Sequence, residues 1–429
     1  MTAAPTAGAT LVRQSPGRGR SASAMVYLSA GSWSDPVGAS GLAHLYEHAF
    51  FAGAGPHPTA GRIAAAVSAL GCTMDARTAA EYSYFRLSGP DETLREAVDL
   101  LLTCYTRPGW DPAELAAQRT AIRNELRLFA DNRSRRLRQL VTRALHGDGR
   151  FGLPALGVAE QLDGLDRESI AGFAADSAGP GRLTLLVDSP REDPGIERTV
   201  QRHLPLSAAP VPPPPGPHPR AYGPRGHTVL AVPGRTVLAA LAVPGPSYRL
   251  GNRDIYALRL FHSIVGGMPG SRLGELLRNR LGLSYQARTV LELHAATGAL
   301  LVLFSCLPED LAKAFDAVHD LLGRALAEPP SAEELARAVA VNRGIHVRDR
   351  ETAEGRCLVT GNEVLRRGAP QPEEELFALW GDISASDVVT VARRELRPEL
   401  ARAVVVGPQD CHLPLLDRDE LPGPWHVER

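Results

Sequence analysis

Apolar and polar positions along this chain alternate between two periods. Short alternating or wholly apolar runs predict strands at residues 24–30, 72–78, 82–87 and 183–187. Longer runs with apolar residues three and four apart predict helices at 62–70, 92–105, 112–129 and 169–175. Asp111 is a good N-cap for the third of these helices and Pro112 a good first residue, with Leu115, Ile122 and Leu126 on its apolar face. Residues 1–20 read as a flexible start, and 24–30 as the first edge strand. Several strands follow one another without a helix between them. The predicted class is therefore α+β with mainly antiparallel sheets.

The pattern then repeats. Glu92-x-Leu94-x-x-Ala97-x-Asp99 reappears 217 residues later as Glu309-x-Leu311-x-x-Ala314-x-Asp316. Glu114-Leu115 reappears 220 residues later as Glu334-Leu335, and the helix–turn–strand of 170–185 reappears at 388–404. Three matches at nearly one offset predict a duplicated domain. Between the copies, 208–219 reads Ala-Ala-Pro-Val-Pro-Pro-Pro-Pro-Gly-Pro-His-Pro, a semi-rigid polyproline segment. The predicted organisation is an N-terminal domain over 1–205, a linker over 206–222 and a C-terminal domain over 223–429.

The candidate chemistry lies at 41–51. His44 and His48 are four apart, so on a helix both imidazoles share one face, and Glu47 sits beside them. Two imidazoles make half of a tetrahedral zinc site, and the adjacent carboxylate can act as a base toward water. The order His-x-x-Glu-His inverts the usual His-Glu-x-x-His. Zinc requires a third protein ligand and an open position. The best candidate is Glu125, on the helix that begins at Pro112. Two histidines on a plain amphipathic core helix would give the same spacing, and Glu125 on a separate helix argues against that.

His44-x-x-Glu47-His48, with Glu125 following 77 residues after His48, resembles the insulinase/pitrilysin-type zinc peptidases, most of all short members such as the processing-peptidase subunits. The resemblance covers roughly residues 23–408. It implies Zn2+ held by His44, His48 and Glu125, with Glu47 as general base. It implies two similar domains, each a sheet flanked by helices, together forming half of a clamshell chamber. Gln118 departs from the family, which usually has Glu there. Gln keeps the size and the hydrogen bonding near the ligands and removes one negative charge. Residues 74–78 are similar to the family's substrate-binding strand, which makes Asp75, Ala76 and Thr78 substrate-binding candidates. Asp75 stands where the family usually has Asn and would favour a basic substrate. Residues 277–285 are similar to the second-domain motif, with Arg278 and Tyr285 as donors to the substrate carbonyl. The second copy has Leu258, Phe261 and His262 in place of the metal helix's triad, which predicts one metal site per chain and a structural His262. Gly266–Gly267 and the residues up to Ser271 read as a flexible loop.

The implied function is a zinc endopeptidase acting on unfolded or precursor peptides inside a dimeric chamber. The partner would be a second copy of the chain or a paralogous subunit. The alternative is a non-catalytic, peptide-binding subunit. Composition fits this picture without specifying it. Net charge is −1, which argues against nucleic acid or a membrane surface as partner. The five cysteines form no Cys-x-x-Cys pair, no secretory signal or membrane-spanning run is visible, and a cytoplasmic location is expected.

Overall fold

A computed structural model describes residues 8–14, 19–208, 211–212, 226–248 and 251–408. Most of the linker predicted over 206–222 lies outside these residues, as does Cys411. The first copy runs β1 (Thr10–Gln14), β2 (Ser21–Leu28), α1 (Leu42–Phe50), α2 (Ala60–Ala69), β3 (Thr73–Thr78) and β4 (Ser83–Pro90). It continues through α3 (Leu94–Thr106), α4 (Pro112–Asp131), α5 (Arg133–His146), α6 (Ala159–Leu162), α7 (Arg167–Asp176), β5 (Leu183–Asp188) and α8 (Gly195–His203). The second copy runs β6 (Gly226–Ala231), β7 (Val237–Gly245), α9 (Asn252–His262), α10 (Arg272–Gly274), β8 (Ala287–Leu293) and β9 (Gly298–Cys306). It ends with α11 (Leu311–Ala327), α12 (Ala332–Asp349), α13 (Ala353–Arg367), α14 (Glu373–Asp382), α15 (Ala385–Glu395) and β10 (Arg402–Gly407).

Each copy builds one five-stranded sheet, in the orders β1-β5-β2-β4-β3 and β6-β10-β7-β9-β8. Only the outer pairs β1–β5 and β6–β10 are parallel. Every other neighbour is antiparallel, and the strand orders correspond one to one. The fold is thus α+β with two duplicated domains.

β2 is a central strand, not the edge strand expected from the sequence. It pairs antiparallel with β4 on one side and β5 on the other. Ala22, Ala24, Val26 and Leu28 point into one apolar core, while Met25 and Tyr27 point into another. A strand covered on both faces reads as a continuous apolar run, which is the pattern of a central strand. The edges are β1 and β3, and β1 has five residues, too few to show a period.

The compact units do not coincide with the two stretches of chain on either side of the proline-rich segment. One unit comprises 1–128, 153–215 and 347–371; the other comprises 129–152, 216–346 and 372–429. The reason is an exchange of helices. α13, from the second copy, covers β2 and β5 in the first unit. α5, from the first copy, covers β7 and β10 in the second, burying Leu137, Val141 and Leu145 against Ala240, Ala242, Val404 and Val406.

Candidate metal centre

α1 is amphipathic, with Leu42, Leu45, Tyr46, Ala49 and Phe50 all buried in the first unit's core. His44, Glu47 and His48 occupy the remaining stripe. The helix start is held by Asp35, buried, whose carboxylate accepts hydrogen bonds from the Gly41 and Ala43 amides at 2.8 Å each. That capping satisfies donors that no helical carbonyl reaches. Sequence reading missed Asp35 because it lies six residues before Gly41, outside any capping spacing. α4 begins as expected, with Asp111 Oδ1 accepting from the amides of Ala113 and Glu114 at 2.9 and 3.3 Å. Leu115 and Ile122 are buried, and Gln118 and Glu125 flank them on the side facing α1.

The two helices bring three ligand atoms together. His44 Nε2 lies 3.6 Å from Glu125 Oε2, and His48 Nε2 lies 3.6 Å from Glu125 Oε1. All three ligand atoms lie within 4.8 Å of one another. A tetrahedral ion with ligands at about 2.1 Å places them about 3.4 Å apart, close to the two His–Glu125 separations, so the donor set suits zinc. The His44 and His48 rings stand at 89° with centroids 4.8 Å apart. Burial, reinforced by the neighbouring His48, lowers the His44 imidazole from 6.5 to about 4, with the Leu156 backbone acting in the opposite sense. His44 is therefore neutral at ordinary pH, with its lone pair free to coordinate. Gln118 Oε1 sits 3.2 Å from His48 Nδ1. An Nδ1–H donated to that oxygen leaves the Nε2 lone pair, on the Glu125 side, free to coordinate a metal.

Glu47 is partly buried beside this set. Burial raises its carboxyl above the ordinary value, Thr78 hydrogen bonding and His48 lower it, and Glu125 raises it further. A carboxyl shifted upward is better matched to proton transfer near neutral pH.

The remaining predicted residues are distributed as follows. β3, which carries Asp75, Ala76 and Thr78, is the edge strand of its sheet. Ala76 packs toward the core, and Thr78 Oγ1 reaches the Ala43 carbonyl at 3.4 Å. The Asp75 carboxylate accepts from the Tyr84 hydroxyl at 3.0 Å and pairs with Arg86 at 2.9 Å. Its charge is thereby matched within the sheet, which removes the reason to expect a basic substrate from Asp75 alone. Arg278 and Tyr285 belong to the other unit. Arg278 is exposed and donates to Asn279 Oδ1 at 3.1 Å, and Tyr285 is 84% exposed. His262 is within 3.1 Å of the Thr289 carbonyl, a structural contact. Gly266 and Gly267 are not in a loop. They lie in a π-turn, where a Cβ would meet Thr289 at 2.7 Å or the His262 ring at 2.4 Å.

Comparison with known proteins places the sequence and the fold among others. The sequence profile described as insulinase (peptidase family M16) matches residues 10–157, and that described as peptidase M16 inactive domain matches 165–342. An uncharacterized zinc protease of Mycobacterium tuberculosis is 27% identical over 394 residues, covering 90% of this chain and 88% of its own. The uncharacterized zinc protease YmxG of Bacillus subtilis is 22% identical over 387 residues, covering 90% of this chain and 93% of its own. Among solved structures, a protease from Helicobacter pylori superposes with a TM-score of 0.83 at 17% identity, covering 94% of this chain and 97% of that one. A peptidase M16 inactive domain from Pseudomonas fluorescens superposes with a TM-score of 0.79 at 18% identity, covering 94% and 96%. No helix among the described residues is long and apolar enough to cross a membrane. The two profiles together span well over half of the sequence, and the chain belongs to the insulinase-type M16 peptidase family.

Proposed function

We propose that this chain is a zinc-dependent endopeptidase that cleaves unfolded or precursor peptides. The observation that carries the reading is the convergence of His44, His48 and Glu125, with Glu47 on the same helix. Zn2+ held there would polarise the scissile carbonyl and bring the pKa of a water molecule toward neutrality. Glu47 takes a proton from the attacking water and passes it to the leaving amine as the C–N bond breaks. Its upward-shifted pKa suits both halves of that transfer. The free edge of β3 supplies main-chain groups along which an extended peptide can add as a further strand. Tyr285 and Arg278 would donate to the substrate carbonyl as it gains charge. The proposed working form, as the family resemblance implies, is a dimeric chamber with a second copy or a paralogous subunit as partner.

The test is metal content together with one substitution. The purified chain should hold one zinc and cleave unstructured peptides. Glu47→Gln should keep the zinc and lose about 10²–10⁴-fold in turnover. Full activity in that variant would assign the base elsewhere, and loss of zinc would make Glu47 a ligand. The neutral Gln118 beside His48 favours a second reading, a non-catalytic peptide-binding subunit. Zinc well below one per chain would select it.

A further inference from the structure

We propose that residues 53–55 and 107–110 form a clasp that sets the metal ligands in register, with Trp110 as its positioning residue. The inference rests on the zinc reading above. The ligands come from two helices, so their convergence depends on where α4 begins relative to the end of α1. The two segments that join those points are tied directly. Ala54 and Pro108 form an isolated antiparallel bridge. Gly55 N donates to the Arg107 carbonyl at 2.9 Å, and Gly109 N donates to the Gly53 carbonyl at 2.8 Å. Gly53 and Gly55 adopt φ of +148° and +48°, and a Cβ on Gly53 would meet the Pro58 carbonyl oxygen at 2.6 Å. The path is one that glycine follows without strain.

Trp110 follows at once, with φ 45°, the sole non-glycine residue at positive φ among the described residues. A bulky residue in the left-handed region persists only where its surroundings hold it, and such residues cluster at functional sites. Here the holding contact is the metal helix itself. The Trp110 ring packs on Tyr46, centroids 6.4 Å apart at 64°, and Tyr46 lies between His44 and Glu47 in sequence. The indole Nε1 is buried without a hydrogen-bond partner, so the position uses the ring and not the N–H. Immediately beyond Trp110, the Asp111 cap starts α4.

Leu115 and Ile122 also hold α4, through apolar burial that by itself is non-directional. The clasp's hydrogen bonds are directional. Glu125 lies 13 residues beyond Pro112, about 20 Å along the axis. A tilt of about 3° at the helix start therefore moves its carboxylate by about 1 Å, whereas metal–ligand distances tolerate about 0.2 Å.

Zinc affinity of the full chain, measured by chelator competition, tests this. Trp110→Ala should bind zinc about 10–100-fold more weakly, the scale of losing a group that orients ligands. Trp110→Gly, which takes the left-handed backbone freely, should be weakened as much. Trp110→Phe should stay within about threefold of wild type. Leu185→Ala, in the same unit's core, serves as control: it should lower the melting temperature of the metal-free chain yet leave zinc affinity within about threefold. Unchanged affinity in both Trp110→Ala and Trp110→Gly overturns the clasp, as does equal weakening in Leu185→Ala. A wild-type chain that binds no zinc overturns the parent reading, and this one with it.

Discussion

α1 and α9 hold the same place in the two copies and carry opposite contents. At an offset of 214, Leu258 replaces His44, Phe261 replaces Glu47, and His262 replaces His48. At the offset of 220 that relates α4 to α12, Ala338 replaces Gln118 and Ile345 replaces Glu125. Leu258, Phe261 and Ala338 are buried in the second unit's core. The one imidazole left has burial lowering its pKa and is spent on a backbone carbonyl. The fold is therefore satisfied by hydrocarbon at these positions. In the first copy the same positions hold His44 and Glu47, both perturbed mainly by burial. Burying ionisable groups costs free energy that packing does not require, so their presence in one copy marks the chemistry.

The exchanged helices make a second contrast. α13 docks on its sheet through an apolar seam, Cys357, Leu358 and Leu365 against Met25, Tyr27 and Leu186, and adds strong polar contacts. Arg356 grips Asp188 with two hydrogen bonds of 2.8 Å, the Tyr27 hydroxyl donates to Asn362 at 3.2 Å, and Gln14 donates to Thr360. α5 docks mainly through Leu137, Val141 and Leu145. Gly407 stands where the first sheet has Asp188, and Arg133 donates instead to the carbonyls of Thr236 and Val406. Asp188 is fully buried, so Arg356→Met would strand a carboxylate in the interior. The expected cost is about 3–5 kcal/mol in denaturant titration. Arg136→Met, at the matching place on α5, should cost under about 1 kcal/mol. Equal losses would show that the two docks work alike. Adding Asp188→Asn to Arg356→Met should recover part of the loss, because the stranded charge is gone.

Size complementarity is inverted between the same docks. On α13, Gly361 faces Tyr27, and a Cβ there would meet the Tyr27 ring at 2.6 Å and Leu186 at 3.1 Å. On α5, the matching Val141 faces Ala240 and Ala242. Gly361→Ala should destabilise by about 1–3 kcal/mol through overpacking, even though Ala is the better helix former. Tyr27→Ala should cost less in the Gly361→Ala background than alone. An additive double mutant would mean that the helix and strand do not share this contact.

Much of this was legible in sequence where the signal is local. α4, with Asp111 and Pro112 at its head, runs as predicted, and the repeat offsets found the true equivalents among α3, α7 and β5. His44 and His48 announced themselves by spacing. What escaped depends on distant pairing. The order of β2 in its sheet is set by β5, about 160 residues away. The exchange of α5 and α13 leaves no periodic trace, since an amphipathic helix does not say which sheet it covers. Asp75 looked like a free acid because its partners, Tyr84 and Arg86, are cross-strand neighbours.

The start of the long helix is secured differently in the two copies, and pH separates the two devices. In the first copy the start of α4 is tied by backbone hydrogen bonds and Trp110. In the second, Arg272 on α10 grips Glu334 in the first turn of α12 with two contacts of 2.7 Å, and Ser331 N donates to the same carboxylate at 2.9 Å. The Arg272 guanidinium lowers the Glu334 carboxyl from 4.5 to about 2. A depressed acid contributes stability above its unfolded pKa and loses it as pH falls toward the folded value. The contribution is therefore complete above about pH 5 and fades from about 4.5 down toward 2. Both side chains keep about a fifth to a quarter of their exposure, so screening limits it to about 1 kcal/mol. Arg272→Met should thus be less stable than wild type by about 1 kcal/mol at pH 7, with the gap narrowing by pH 3. Raising salt to 1 M at pH 7 should narrow it in the same way. Trp110→Phe in the first copy, which removes no charge, should show a difference from wild type that neither pH nor salt alters over that range. A constant gap for Arg272→Met across pH would mean that its side chain stabilises α12 by packing and not by charge.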